Sequence, residues 1–281
     1  MIAETQREFV YRIRWRPQSM RPGAHTSQRS GMGQLFSGYA SLLDHPDPRR
    51  LDLNASVRDP YGMLYTRVFR QRAAIPVMLL VDRSASMRFG DKAAFTAAFA
   101  DATARSATAT GDAFGLLTLD DGARALHLPP TFKRGAAQGV IECLQEGPSL
   151  GRRLGEPRAL ATRLPRERAL VFLVSDFHWT TRELDGVLDG LARHDVVPVV
   201  VWHEREYSAL PRRGLMSLQD PETGRRRTLY MRPRLAERLR RAYAERRAYL
   251  ARQFMRQGRR PLFAGARFDA SVLTDHFLRT A

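Results

Sequence analysis

Little in this chain would mark a secreted, membrane-spanning or hydrolytic protein. Its 281 residues include one cysteine, Cys143, which excludes an intramolecular disulfide, and the flanks Val140-Ile141-Glu142 and Leu144 put that thiol on the buried side of a helix. No apolar run approaches the roughly 18 residues of a membrane span. The stretch Met1 to Arg7 has no apolar signal-peptide region, so the sequence predicts a cytoplasmic protein with no membrane span. The seven histidines show neither metal-ligand spacing nor a G-x-S-x-G partner, which leaves a serine hydrolase without its base; only His178, just past Asp176, is placed to lie near a site there, in a rim or surface role. Gly31-Met32-Gly33 is followed by no G-K-[ST] and makes no phosphate loop. Internal repeats and low-complexity tracts are absent as well, and nearly all of the 46 basic residues are Arg.

What is present begins with two apolar runs. Ile75 to Val81 lacks alternation, as expected of a strand covered on both faces, and Pro76 near its start costs no interior ladder bond. It runs directly into Asp82-Arg83-Ser84-Ala85-Ser86. In open α/β sheets ligands gather above the carboxyl ends of the strands. An acid and two hydroxyls at alternate positions there form an oxygen cage suited to Mg²⁺, which takes about six oxygens and usually keeps several waters. The same residues would serve as a helix cap. The second run, Ala169 to Val174, favours the cage because it also ends in a hydroxyl and an acid, Ser175-Asp176.

The remaining pattern predicts helices over 93–109, 134–146, 181–193 and 232–257, with a final one from 270. Strands are expected at 113–119, 169–175, 196–202 and 261–264. The strand at 113–119 turns at Asp120-Asp121-Gly122 into a hairpin partner at Ala123–Leu128, and a second hairpin, 214–230, turns on Pro221-Glu222-Thr223-Gly224. Strands separated by helices imply an α/β fold with a doubly wound, mostly parallel sheet and one antiparallel edge strand. We expect an N-terminal leader segment, 1–73, followed by one domain, 74–281, that includes the hairpin and basic helix within 214–257.

The D-x-S-x-S motif at Asp82, Ser84 and Ser86, with Asp176 after a later strand, resembles the metal-ion-dependent adhesion site of von Willebrand factor A domains. The resemblance implies a Rossmann-like fold, bound Mg²⁺ or another divalent cation, no catalytic residues, and capture of a partner's carboxylate. It also implies a hydroxyl from a second loop. Ser149, in Gly147-Pro148-Ser149-Leu150, is the first choice and Thr131 the poorer one. Beyond the core, Gly23 to Ser27, Asp47 to Ser56, Tyr65 to Phe69, Leu210 to Gly214 and Asp220 to Gly224 resemble a large uncharacterised bacterial family encoded beside MoxR-type AAA+ ATPases. Leu51-Asp52-Leu53, Arg58-Asp59-Pro60 and Gln71 to Val77 look most like its methanol-oxidation accessory (MxaS) subfamily. The implied partners are a MoxR-type ATPase and a client protein, such as a methanol-oxidation metalloenzyme in maturation.

Charge is the second strong feature. The net charge is +17, and residues 206–281 supply +11 of it from eighteen Arg against seven acids. On the helix 232–257, Leu235, Leu239, Ala242, Leu250 and Phe254 form an apolar stripe. Arg234, Arg238 and Arg241, with Arg252 and Arg256, share another face and are the candidate partner-binding residues. An acidic protein surface is the expected partner; a basic nucleic-acid binder is an alternative without a recognisable motif. A phosphohydrolase of haloacid-dehalogenase type would resemble D-x-D-x-T, but Ser84 stands where its general acid belongs.

Overall fold

The computed structural model describes residues 8–19, 21–31, 35–120, 125–145, 157–207, 210–221, 223–265 and 267–279. The chain divides into two compact units, Ile13–Ile75 with Thr110–Asp112, and the remainder.

The smaller unit holds strands β1 (Pro22–Gly31), β2 (Leu35–Ser41) and β3 (Tyr65–Ala73), with a short helix α1 (Leu53–Val57) between β2 and β3. They form an antiparallel sheet in the order β1-β3-β2, with register shifts in both pairings. Asp52 organises the connection. It caps α1 by accepting the Ala55 N–H at 3.0 Å and takes Arg67 Nε at 2.6 Å. The Ala55 bond, and then the Arg67 guanidinium, hold its carboxyl below the usual range.

The larger unit is built on β4 (Pro76–Val81), α2 (Lys92–Thr110), β5 (Ala113–Thr118), β6 (His127–Thr131), α3 (Gln138–Gln145), α4 (Pro157–Arg163), β7 (Leu170–Ser175), α5 (Thr181–Gly190) and β8 (Asp195–Val201). It continues through the hairpin β9 (Gly214–Gln219) and β10 (Arg226–Met231), the long helix α6 (Pro233–Arg256), β11 (Leu262–Ala264) and α7 (Ala270–Leu278). Six strands form one sheet in the order β11-β8-β7-β4-β5-β6, parallel throughout except that β6 is antiparallel to β5. This is the α/β doubly wound architecture with one antiparallel edge that the strand and helix alternation implies.

Every residue of β4, β5 and β7 is buried, which explains runs without alternation. One face of the sheet packs Met78, Leu80, Val171 and Leu173 against Val187 and Leu188 of α5 and Leu250 and Phe254 of α6. On the other, Phe172 meets Phe9, Phe99 and Phe277 edge-on at 5.5 to 6.1 Å. Each such buried side chain contributes about 1.5–3 kcal/mol.

Some elements depart from the sequence expectation. The partner of β5 lies at His127–Thr131 and runs through Pro129 and Pro130, which an edge strand tolerates because one side of its ladder is free. Cys143 is only half-buried, the inward positions of α3 being Ile141 and Leu144. Along α6 the buried residues are Ala236, Leu250 and Phe254, whereas Ala242 is exposed.

The order of strands sets the site. From β4 the chain winds outward to β5 and β6, then returns to the other flank of β4 with β7 and continues to β8 and β11. The direction reverses between β4 and β7, so their carboxyl ends define the topological switch point where such sheets bind ligands.

Candidate metal centre

Asp82 extends the β4 ladder by one residue, its N–H bonding to Val174 O at 2.9 Å. Its carboxylate is the hub of the switch point. Oδ1 accepts the Ser84 N–H at 2.8 Å, and Oδ2 accepts Ser175 Oγ at 2.6 Å and Trp179 Nε1 at 3.0 Å. Burial, and then the neighbouring charge of Asp176, push the Asp82 carboxyl above its ordinary range, against these hydrogen bonds. Met87, 4 % exposed, anchors the short helical turn Ala85–Arg88 and leaves Ser84 and Ser86 facing the cleft. Their hydroxyls lie 3.1 Å apart.

Asp176 follows β7, and the next residue, Phe177, holds φ at +53°. A bulky residue in the left-handed region costs about 1–3 kcal/mol and persists only where its surroundings fix it. Here the fully buried Phe177 ring packs on Trp179 and Phe254, and Arg246 Nη2 from α6 donates to both Phe177 O and Trp179 O at 2.7 Å. The loop carrying Asp176 is therefore clamped from α6.

Three further groups complete the site, and sequence reasoning passed over all of them. Lys92 opens α2 with its side chain fully buried, and its ammonium donates to Asp176 Oδ2 at 3.0 Å and Glu206 Oε1 at 2.5 Å. A cation at a helix N-terminus opposes the helix dipole, so the two carboxylates justify its place. One signal was in the sequence: Lys92 and Lys133 are the only lysines among 46 basic residues, and a compact ammonium fits where a guanidinium fork does not. Glu206 sits in the turn Glu204–Glu206 after β8. Gly90 allows that turn to close on the first cage loop, since a Cβ there would come within 2.3 Å of His203 Cδ2. Asp120, just past β5, lines the same cleft; it is 7 % exposed and neither carboxylate oxygen has a hydrogen-bond partner among the described residues.

The structure thus gathers Asp82, Ser84, Ser86 and Asp176 around one cleft of about 1,090 Å³. Thr131 is not with them. It pairs with Phe114 near the start of β5, whereas the cage lies beyond Val81, whose partner is Thr118 at the end of that strand. Ser149 lies outside the described residues.

The donor set fits a hard divalent cation. The Ser84 and Ser86 hydroxyls are hydrogen-bonded to each other at 3.1 Å, a spacing that also suits adjacent oxygens of an octahedral shell at 2.0–2.1 Å, which lie roughly 3 Å apart. Asp82 turns Oδ1 toward the Ser84 N–H, and the Asp120 carboxyl, without a hydrogen-bond partner among the described residues, faces the same cleft. A second set of ligand atoms, from Asp176, His178 and Glu206, lies within 4.8 Å of one another. There the Lys92 ammonium already supplies a cation to both carboxylates.

Fold and site together define a doubly wound α/β protein with an oxygen-donor centre at its switch point. Residues 46–251 match the family model described as protein of unknown function DUF58, and the chain belongs to that family. A relative in Paracoccus denitrificans, named as an uncharacterized protein in the moxR 3′ region, is 40 % identical over 103 residues, covering 37 % of this chain and 98 % of the relative. Among solved structures, proximal thread matrix protein 1 from the mussel byssus, with zinc in its MIDAS motif, is similar at 15 % identity and a TM-score of 0.32 over 46 % of this chain. A second structure of that protein gives 16 % and 0.30. The chain spans 38 % and 37 % of the length of those two structures. Among the described residues no helix is long and apolar enough to cross a membrane.

Proposed function

We propose that this protein is a non-catalytic, Mg²⁺-dependent adaptor of the von Willebrand A type, which binds a carboxylate of a partner protein and acts with a MoxR-type AAA+ ATPase on a client. The observation that carries the reading is the pair of serine hydroxyls at octahedral-edge spacing beside Asp82, above the switch point. Ser84 and Ser86 with Asp82 would hold the ion, and Asp176, tied to Lys92, would stand beside it. A bound divalent cation supplies positive charge and an open coordination position for an incoming carboxylate. The remaining steps belong to the chain: Asp82 fixes the turn, Trp179 and Ser175 fix Asp82, and the Phe177 loop fixes Asp176.

The partner assignment draws support from the 40 % identical relative in the moxR 3′ region. The client, a metalloenzyme of methanol oxidation, extends the subfamily resemblance. No observation favours the phosphohydrolase: Ser84 supplies no proton, and Asp82 is engaged by three donors. Titration calorimetry with MgCl₂ tests the site. Ser84→Ala/Ser86→Ala should lower Mg²⁺ affinity more than about tenfold with an unchanged unfolding curve, and capture of the MoxR-type ATPase or its client should require Mg²⁺. Mg²⁺ binding equal in the double variant and the wild type would remove the proposal.

A further inference from the structure

One wall of the cleft that holds the cage is a strand edge. Met216 to Gln219 of β9, followed by Asp220 and Pro221 of the turn, line it, and a strand can present four consecutive residues to one cavity only through its edge, because its two faces alternate. On its other side β9 pairs with β10, and the register fixes which backbone groups point where. Asp220 N–H bonds to Arg225 O at 2.9 Å. By the antiparallel alternation, Leu218 and Met216 then exchange bonds with Arg227 and Leu229, whereas Leu215, Ser217 and Gln219 turn N–H and C=O away from β10.

The two edges of this hairpin differ in chemistry. The outer strand β10 carries exposed Arg226 and Arg227, the kind of charge that discourages pairing with another chain. The strand β9, Gly-Leu-Met-Ser-Leu-Gln, has no charge at all, and its edge is the one beside the cage. Six carboxylates line the cleft against three guanidiniums, and the Lys92 ammonium pairs with two of the six, Asp176 and Glu206, so negative charge remains in excess and a bound cation would favour an acidic ligand.

We propose that an extended segment of a partner protein adds to β9 as a third strand and delivers one acidic side chain to the cage. This rests on the metal-dependent adaptor reading and deepens it: the backbone ladder supplies affinity without sequence preference, and the carboxylate at the cation supplies the specificity. Six residues of strand span roughly 20 Å, which sets the recognised segment at about six or seven residues.

The test uses a displayed library of random heptapeptides, selected on the full chain in MgCl₂. Enriched peptides should carry Asp or Glu, elute with EDTA, and lose at least tenfold in affinity for Ser217→Pro. That substitution removes an outward N–H while sparing the β10 ladder; Ser217→Ala should bind as wild type. Amide exchange at Ser217 in the wild-type protein should slow when an enriched peptide is added, a readout independent of how well the proline variant folds. Peptides that elute with EDTA but ignore Ser217→Pro and leave Ser217 exchange unchanged would overturn strand addition and leave the cage reading standing. Peptides sensitive to Ser217→Pro but indifferent to EDTA would leave the groove and sink the cage. Failure to enrich acidic peptides, or a wild-type dimer that Ser217→Pro dissolves, would also overturn the proposal, the latter by showing that β9 pairs with a second copy of this chain.

Discussion

The switch-point cleft and the outer face of α6 are both dense in charge, yet they use it in opposite ways. In the cleft Lys92, Asp82 and Asp176 are each at most 4 % exposed, and each has named partners within 3.0 Å. On α6, Arg234, Arg238 and Arg241 are exposed. Arg246 marks the boundary: half-buried, it leaves the solvent face to clamp the Asp176 loop. Buried charges fix geometry because breaking a buried pair is costly, whereas exposed charges are screened and shape encounters over about 10 Å. The count of +17 says nothing about this division; burial does.

The largest expected effect breaks the buried side of the comparison. Lys92→Ala leaves Asp176 and Glu206 without their counter-ion, and removing one partner of a buried ion pair costs about 3–5 kcal/mol. Urea unfolding should show that loss. Adding Mg²⁺ or Zn²⁺ should restore part of it, since Asp176, His178 and Glu206 then form a vacant cluster of ligand atoms. A variant as stable as wild type would mean that the Lys92 contacts contribute nothing.

A smaller effect separates burial from neighbouring charge. His194 is 5 % exposed and its Nδ1 accepts the Ala169 N–H at 3.2 Å. Burial, and then Arg193, Arg168 and Arg259, lower its pKa to about 4. The unfolded chain binds this proton near pH 6.5 and the folded chain does not, so stability is complete above pH 6.5 and falls as pH drops toward 4. Melting temperatures across that range should decline in the wild type. In His194→Gln, which keeps an acceptor without the titration, this part of the slope should vanish.

The same division explains what could be read in the sequence. The buried strands were legible because apolar runs of six or seven residues have one explanation in a chain of this class, and the place of Asp82 and Asp176 at the strand ends was legible because each follows such a run. Glu206 was not, and Lys92 only through the rarity of lysine in this chain, since their contacts join positions 84 and 114 residues apart. The sheet of the smaller unit was missed for a different reason. Its strands are interrupted by bulges, with Gly38 at φ +151° and slips between Thr26 and Ser30, so the period of two is broken. At β6 the reading stopped at Leu128, before two prolines that only the edge position permits.

The smallest expected effect on stability tests the exposed side. Arg234, Arg238 and Arg241 point to solvent from the first half of α6, so reversing each to Glu should change folding stability within about 0.5 kcal/mol per site. Association is where they should count. If this face steers an acidic surface of a MoxR-type ATPase, the triple variant should bind more slowly at low salt and lose most of the salt dependence of its on-rate, with the off-rate little changed. Ser84→Ala/Ser86→Ala should do the reverse, raising the off-rate while leaving the on-rate near wild type, because the cage acts only after contact. Stopped-flow mixing at two salt concentrations distinguishes them. An off-rate that rises in the arginine variant would mean that these side chains lie inside the interface, and the contrast between a steering face and a binding cleft would then fail.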